Sequence, residues 1–311
     1  MHEESFSYLF FKGRSKNNPI IFFHATGLNA ATYLNLLTKI YENFDGERSI
    51  YAFDQRGHGL SEAEADHKKL KSWRQFSKEA VTFLNASGQE SIELMGHSMG
   101  GIVAAEIASQ LKLKVNNLIM LEPVLYYAPK EVIKLKIKKF LQFSDFSASN
   151  KSSGARQRRN NFSSFDEAVE HFTGRAMFIS WPEESIKSYL KGGLVKREGS
   201  FFLSCDPAWE AKTFETVTFD TYRFLKKATC PVLIIRGDKE TSTFTDEAEK
   251  SKASNLAAGA GAADGGALAV LAVQQYRARR KRNNGGGANT KYGASTSAVH
   301  PARAAAPPVL M

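Results

Sequence analysis

The residue with the clearest capacity for chemistry is Ser98, in the run Gly96-His97-Ser98-Met99-Gly100, with Gly101 following. It sits between an apolar stretch, "SIELM", and a stretch of helical composition, "GGIVAAEIA". A serine hydroxyl is a weak nucleophile until it is exposed, aligned and relieved of its proton. The G-x-S-x-G spacing serves the first two needs. A serine on a cramped strand-to-helix bend stands above the sheet, and glycines two before and two after it remove side chains that would collide there. The same bend aims the free amides and positive end of the following helix at oxygen charge developing in a transition state.

Such a bend requires a strand before it and a helix after it, and the flanking sequence supplies both. "SFSYLFFKG" and "NPIIFFHATG" read as strands, followed by helical spacing from Ala31 to Tyr41. "RSIYAFDQRGHG" is a strand breaking into a glycine turn, and Ser72 to Gly88 reads as a helix closed by its glycine. "SIELMGHS", a helix from Met99 to about Leu111, and the strand "VNNLIMLEPV" continue the alternation. Strands alternating with helices imply an α/β fold with a mostly parallel sheet and helices on both faces.

The texture changes twice further on. Residues 126–229 are mostly helical in period before "CPVLIIRGDKET" returns to a buried strand, so this excursion is expected to be a helical cap over the strand ends. The expected division is a core of 1–125 and 230–255, a cap of 126–229 and a tail of 256–311. The tail is rich in Ala, Gly and Arg. Its composition predicts disorder apart from a helix across "GALAVLAVQQYRARRKR". Its usage differs so abruptly from the preceding Lys/Asn/Phe/Ile-rich chain that it reads as a replaced C-terminus.

Charge follows the same division. Of the net +10, +6 lies from Ala257 onward, where seven Lys/Arg face one acid, Asp264. The remaining body is nearly balanced. "RARRKR" could contact phosphates, but the body shows no basic nucleic-acid reader, so nucleic acid is not the expected partner. The acidic N-terminus and the lack of a long apolar run predict neither a signal peptide nor a membrane span, and a cytoplasmic location is expected. Cys205 and Cys230 read as packing residues. No phosphate loop or metal-ligand cluster is visible, so no cofactor and no metal are expected.

"HATGLN", "DQRGHGLS" and "GHSMGG", in that order and followed by "LEPV", a cap-length insertion and "PVLIIRGDKE", resemble the α/β-hydrolase superfamily, in its capped form with a serine nucleophile. The resemblance covers roughly residues 5 to 250. It implies Ser98 as nucleophile and the backbone amides of Thr26 and Met99 as the oxyanion hole. It casts His24 as a loop-supporting residue and Asp54, Arg56 and Gly57 as the fixed points of a structural turn. The triad acid is either Glu240 or its neighbour Asp238, after the strand that follows the cap, or Glu122 in "LEPV". In the family the catalytic histidine follows the acid in a glycine-flanked loop. The only histidine downstream of Glu240 is His300, in the Ala/Pro-rich "AVHPA". The last strand and helix of the fold are accordingly expected to be missing or replaced.

Ser98 in place of an aspartate excludes the dehalogenase and epoxide-hydrolase chemistry of the same superfamily. What remains is a serine hydrolase acting on a small ester or related carbonyl substrate, or a hydrolase fold that binds a ligand without turning it over. Phe162, Phe165, Phe172, Phe178 and Trp181 suggest a substrate with an apolar portion. Aromatics at such spacing, and Trp209 with them, more often form the cap's own core.

Overall fold

The computed structural model describes residues 4–124, 137, 150–219, 221–236, 268–272 and 302–305. Its main sheet has eight strands: β1 (Ser5–Phe11), β2 (Ser15–Phe23), β3 (Arg48–Phe53), β4 (Ser91–His97), β5 (Lys114–Leu121), β9 (Val232–Arg236), β10 (Leu268–Ala272) and β11 (Ala302–Ala305). Their order across the sheet is β10-β9-β5-β4-β2-β3-β1-β11. All neighbours from β10 to β3 are parallel, whereas β1 pairs antiparallel with both β3 and β11. Strands β2 and β4 are central, so their carboxyl ends meet in the middle of one sheet edge, where doubly wound sheets carry their sites.

The apolar runs explain the two-sided burial. Along β2, Ile21 and Phe23 point to one face and Ile20 and Phe22 to the other, and all four are buried. The first face is covered by helices α2 (Arg74–Ala86), α3 (Met99–Ala108) and α8 (Thr221–Lys227). The second is covered by α1 (Leu34–Asn43), which buries Leu37. Helix α3 is buried from Met99 to Ile107, as its nearly unbroken apolar sequence requires, because it lies between the sheet, α2 and α8.

The inserted region contains α4 (Asn150–Arg156), β6 (Asn161–Phe162), α5 (Phe165–Phe172), α6 (Glu183–Gly193), β7 (Leu194–Arg197), β8 (Ser200–Leu203) and α7 (Pro207–Glu215). The helical expectation for it needs one correction. β6, β8 and β7 form a small antiparallel sheet. β7 and β8 are joined by Glu198 and Gly199, both at positive φ (47° and 82°), with Arg197 paired to Ser200. Two consecutive left-handed residues match the right-handed twist of a hairpin. Strands of two to four residues are too short to reveal a period of two, so the turn at "EG" was the available signal.

The tail also departs from expectation. Leu268–Ala272, inside the stretch assigned to a possible helix, pairs in parallel with β9, and Ala302–Ala305 pairs with β1. An isolated five-residue apolar run fits a buried strand and a helix segment equally well, and the open edge of β9 selects the strand. Among the described residues no helix is long and apolar enough to cross a membrane.

Candidate active site

Ser98 lies where β4 ends and α3 begins, with φ 52° and ψ −114°. This is backbone that L-residues rarely adopt and a position where strain is associated with function. Its N–H is held by Leu121 O at 2.8 Å, and its carbonyl accepts from Gly101 N–H at 3.1 Å. The side chain is half-buried, and its hydroxyl has no hydrogen-bond partner among the described residues. The glycines on either side are sterically required. A Cβ on Gly96 would overlap the Gly100 backbone, and one on Gly100 would overlap the carbonyls of Phe23 and His24. Gly101 is less constrained, with Gly96 O 3.2 Å from such an atom.

The loop after β2 faces this bend. Thr26 Oγ1 donates to Met99 Sδ at 3.3 Å, tying the loop to the first residue of α3. Three loop amides are already used: Ala25 N–H donates to Tyr33 Oη (3.1 Å), Gly27 N–H to His58 Nε2 (3.1 Å) and Leu28 N–H to Ala25 O (3.1 Å). Thr26 N–H has no partner among the described residues. Met99 N–H, at the first turn of α3, has no intrahelical acceptor. Among the described residues neither Thr26 N–H nor Met99 N–H donates a hydrogen bond.

Three histidines surround the loop, each committed to holding it. His24 Nε2 accepts from Gln55 N–H (3.0 Å), which leaves Nδ1–H to donate to Ala25 O (2.8 Å). His58 Nε2 accepts from Gly27 N–H, so its Nδ1–H donates to Arg56 O (3.0 Å). His97 Nδ1 shares a 2.7 Å hydrogen bond with the Tyr33 hydroxyl. Burial disfavours their charged forms. The His24 pKa is driven well below the ordinary value, and those of His58 and His97 fall to about 4. The loop-supporting role expected for His24 matches this geometry. His58 was not singled out from the sequence, since a histidine in a glycine turn carries no periodic signal; the pairing of "HATG" with "GHG" is visible only in space.

Asp54, Arg56 and Gly57 fix the second loop. Asp54 accepts from Ala30 N–H (2.8 Å), Ser7 Oγ (2.6 Å) and Leu60 N–H (3.1 Å), while its burial raises its pKa to about 6. Arg56 bonds Glu79 (2.6 Å), Glu64 O (2.7 Å) and Glu4.

Glu122 follows Leu121 at the carboxyl end of β5. It has φ 41°, and its N–H donates to Ile235 O at 2.8 Å. It thus shares the sheet edge with Ser98. Glu240, Asp238 and His300 lie outside the described residues. No histidine is hydrogen-bonded to Ser98 among the described residues, and no group of three or more His, Cys, Asp or Glu there could hold a metal.

The inserted region packs directly against the Thr26 loop. Its core comprises Phe162, Phe172, Phe178, Tyr189 and Leu190, with Phe165 and Trp181 packed against it, and includes Ala25 and Leu28 of the loop. These aromatics are therefore internal to the inserted region. Trp209 is buried in the main core instead, edge-on to Phe76.

A mostly parallel sheet with a serine on a strained strand-to-helix bend defines a hydrolase-type α/β protein. The family model for the alpha/beta hydrolase fold matches residues 18–257, and the chain belongs to that family. Protein phosphatase methylesterase 1 of Candida albicans is 34% identical over 101 residues, covering 32% of this chain and 27% of that protein. A putative esterase/lipase 2 of Mycoplasma pneumoniae is 27% identical over 116 residues, 37% of this chain and 41% of that one. The matched region thus spans well under half the length of these relatives. Among solved structures, E-2-(acetamidomethylene)succinate hydrolase superposes with a TM-score of 0.63 at 20% identity, covering 88% of this chain and 87% of that chain. A thioesterase domain from the curacin biosynthetic pathway gives 0.62 at 18% identity, covering 88% and 93%. At these identities the structural likeness concerns the fold.

Proposed function

We propose that this protein is a serine hydrolase acting on a small ester or related carbonyl substrate. One observation carries the reading: the half-buried Ser98 hydroxyl on its strained bend and the amides of Thr26 and Met99, which have no hydrogen-bond partner among the described residues. In the proposed reaction Ser98 Oγ attacks the carbonyl carbon and its proton passes to a histidine. The two amides hold the tetrahedral oxyanion, and the alcohol leaves with that proton. Water then releases the acid and restores the hydroxyl. Each oxyanion donor is worth about 3 kcal/mol in the transition state. His300 is the candidate base, and Glu240, Asp238 or Glu122 the candidate acid that orients it. The names of the methylesterase and esterase/lipase relatives agree with ester chemistry.

A second reading, a hydrolase fold that binds a small ligand without turnover, is favoured by the histidines. His24, His58 and His97 are all engaged as neutral hydrogen-bonding groups around the loop, and none of them is hydrogen-bonded to Ser98 among the described residues. Reaction with a fluorophosphonate and turnover of p-nitrophenyl acetate separate the two. The hydrolase reading expects labelling abolished in Ser98→Ala and turnover lost in His300→Ala. Labelling without turnover supports the binding reading, and absence of labelling rejects the role of Ser98.

A further inference from the structure

Helix α7 is inserted between the two loops that build the site. A Cβ on Gly57 would overlap the Trp209 indole, and one on Gly27 would overlap the Glu210 carboxylate. Two adjacent residues of one helix therefore fill the space left by two glycines, both at positive φ (71° and 74°), in two different loops. Glu210 is a costly choice for such a place, since its side chain is only 2% exposed. Burial raises its pKa, and the charge of Arg158 opposes that rise. Arg158 Nη1 lies 2.9 Å from Glu210 Oε2, in an alignment that makes it an ion pair without a formal hydrogen bond. Arg158 follows α4 in the cap and faces Tyr189, whose carbonyl accepts from Asn29 Nδ2 at 2.8 Å. The cap reaches the Thr26 loop from both sides, through Asn29 on one and Glu210 on the other.

We infer that Glu210, seated by Arg158 of the cap, is a positioning residue that packs on Gly27 and so holds the neighbouring Ala25–Thr26 peptide, whose N–H is the Thr26 donor; cap seating then sets the alignment of that amide. This rests on the proposed role of that amide as an oxyanion donor. A hydrophobic residue of similar size would fill the space without the cost of burying two charges. The ion pair adds a dependence on the cap: without Arg158, the carboxylate loses the partner that keeps it charged against Gly27.

The test uses the full chain with two readouts: hydrogen exchange of peptides covering residues 24 to 30, and the rate of Ser98 labelling by a fluorophosphonate. The loop amides of Ala25, Gly27 and Leu28 are all hydrogen-bonded and serve as exchange reporters. Because Glu210→Ala or Glu210→Gln alone strands a buried Arg158, the paired variant Arg158→Met/Glu210→Ala is used, the paired variant Arg158→Met/Glu210→Gln, which keeps the shape without either charge, serves as the rescue, and Arg158→Met alone tests the dependence on the cap. The paired alanine variant is expected to raise exchange in this segment about tenfold while β4 keeps its protection, and to slow labelling about tenfold; the paired glutamine variant stays within about threefold, and Arg158→Met alone raises exchange in the same segment. Unchanged exchange in the paired alanine variant overturns the inference, as does a rise spread evenly over the whole chain. If wild type resists labelling, the reading of Ser98 fails, and the exchange result still decides whether Glu210 orders the loop.

Discussion

Gly27 N–H donates to His58 Nε2 at 3.1 Å, so a buried neutral imidazole is the acceptor that holds the loop beside Ser98. Protonation of His58 removes that acceptor and places a charge in the core. With its pKa at about 4 against an ordinary value of 6.5, the unfolded chain takes up this proton before the folded one does. Stability is therefore unaffected above about pH 6.5 and is lost as pH falls from there toward 4. Each such histidine accounts for about 3 kcal/mol at the lower end.

His97, also at about 4, adds to this loss, and Asp54 opposes it. Raised to about 6, Asp54 binds its proton more readily when folded, so its contribution is present below about pH 4 and lost as pH rises through 6. His24, lowered as well, joins the two histidines, and together they outweigh the raised carboxyls of Asp54, Glu79 and Glu210. Urea midpoints measured from pH 7 to 4.5 are expected to fall, and His58→Gln, which keeps an acceptor but cannot charge, is expected to flatten the slope. An equal slope in that variant would remove His58 from this account.

The backbone at Ser98 gives a second prediction. φ 52° with ψ −114° suits glycine and strains any residue with a Cβ. Ser98→Gly is expected to be more stable than Ser98→Ala by about 1 to 2 kcal/mol, the released strain being partly offset by the freer unfolded chain. Both variants lose fluorophosphonate labelling. Thermal melts of the pair check this, and equal midpoints would mean that the bend stores no strain.

The glycines of the bend are not equivalent to glycines elsewhere. Gly100→Ala places a methyl against the carbonyls of Phe23 and His24, backbone that cannot step aside, and is expected to cost more than about 3 kcal/mol. Gly88, at φ 69°, has nothing within 4 Å of a Cβ position, so Gly88→Ala meets only the dihedral cost of about 1 kcal/mol. Chemical denaturation of the two variants separates steric from dihedral demand.

This contrast explains what was legible in the sequence. Gly96 and Gly100 are read correctly because close backbone approach permits only glycine, and the apolar runs on each side fix strand and helix. The aromatics Phe162, Phe172 and Phe178 are legible as a cluster, though only packing shows that they belong to the cap's interior. His58 and Glu210 were missed because their partners, Gly27 in both cases, lie far away in sequence and contribute a backbone group with no side-chain signature. The β7–β8 hairpin was missed because its strands are shorter than the period that would reveal them. Strand β10 was read as part of a helix because five apolar residues have no preferred period until an open strand edge is available.

The choice of acid gives the last prediction. Glu122 leaves β5 in a left-handed conformation, with its N–H anchored to Ile235 O on β9, one strand further from Ser98. Its backbone thus stitches two strand ends together whatever its side chain does. The strand that follows the cap ends at Arg236, just ahead of Asp238 and Glu240 in the chain. If the acid comes from this later position, Glu122→Gln should leave p-nitrophenyl acetate turnover within about tenfold of wild type. Asp238→Asn combined with Glu240→Gln should then lower kcat by up to about 10⁴, the scale on which losing a triad carboxylate acts, with KM little changed. Labelling of Ser98 should slow in parallel with kcat, because both steps draw on the same base. The reverse order, with Glu122→Gln the damaging change, would place the acid on β5.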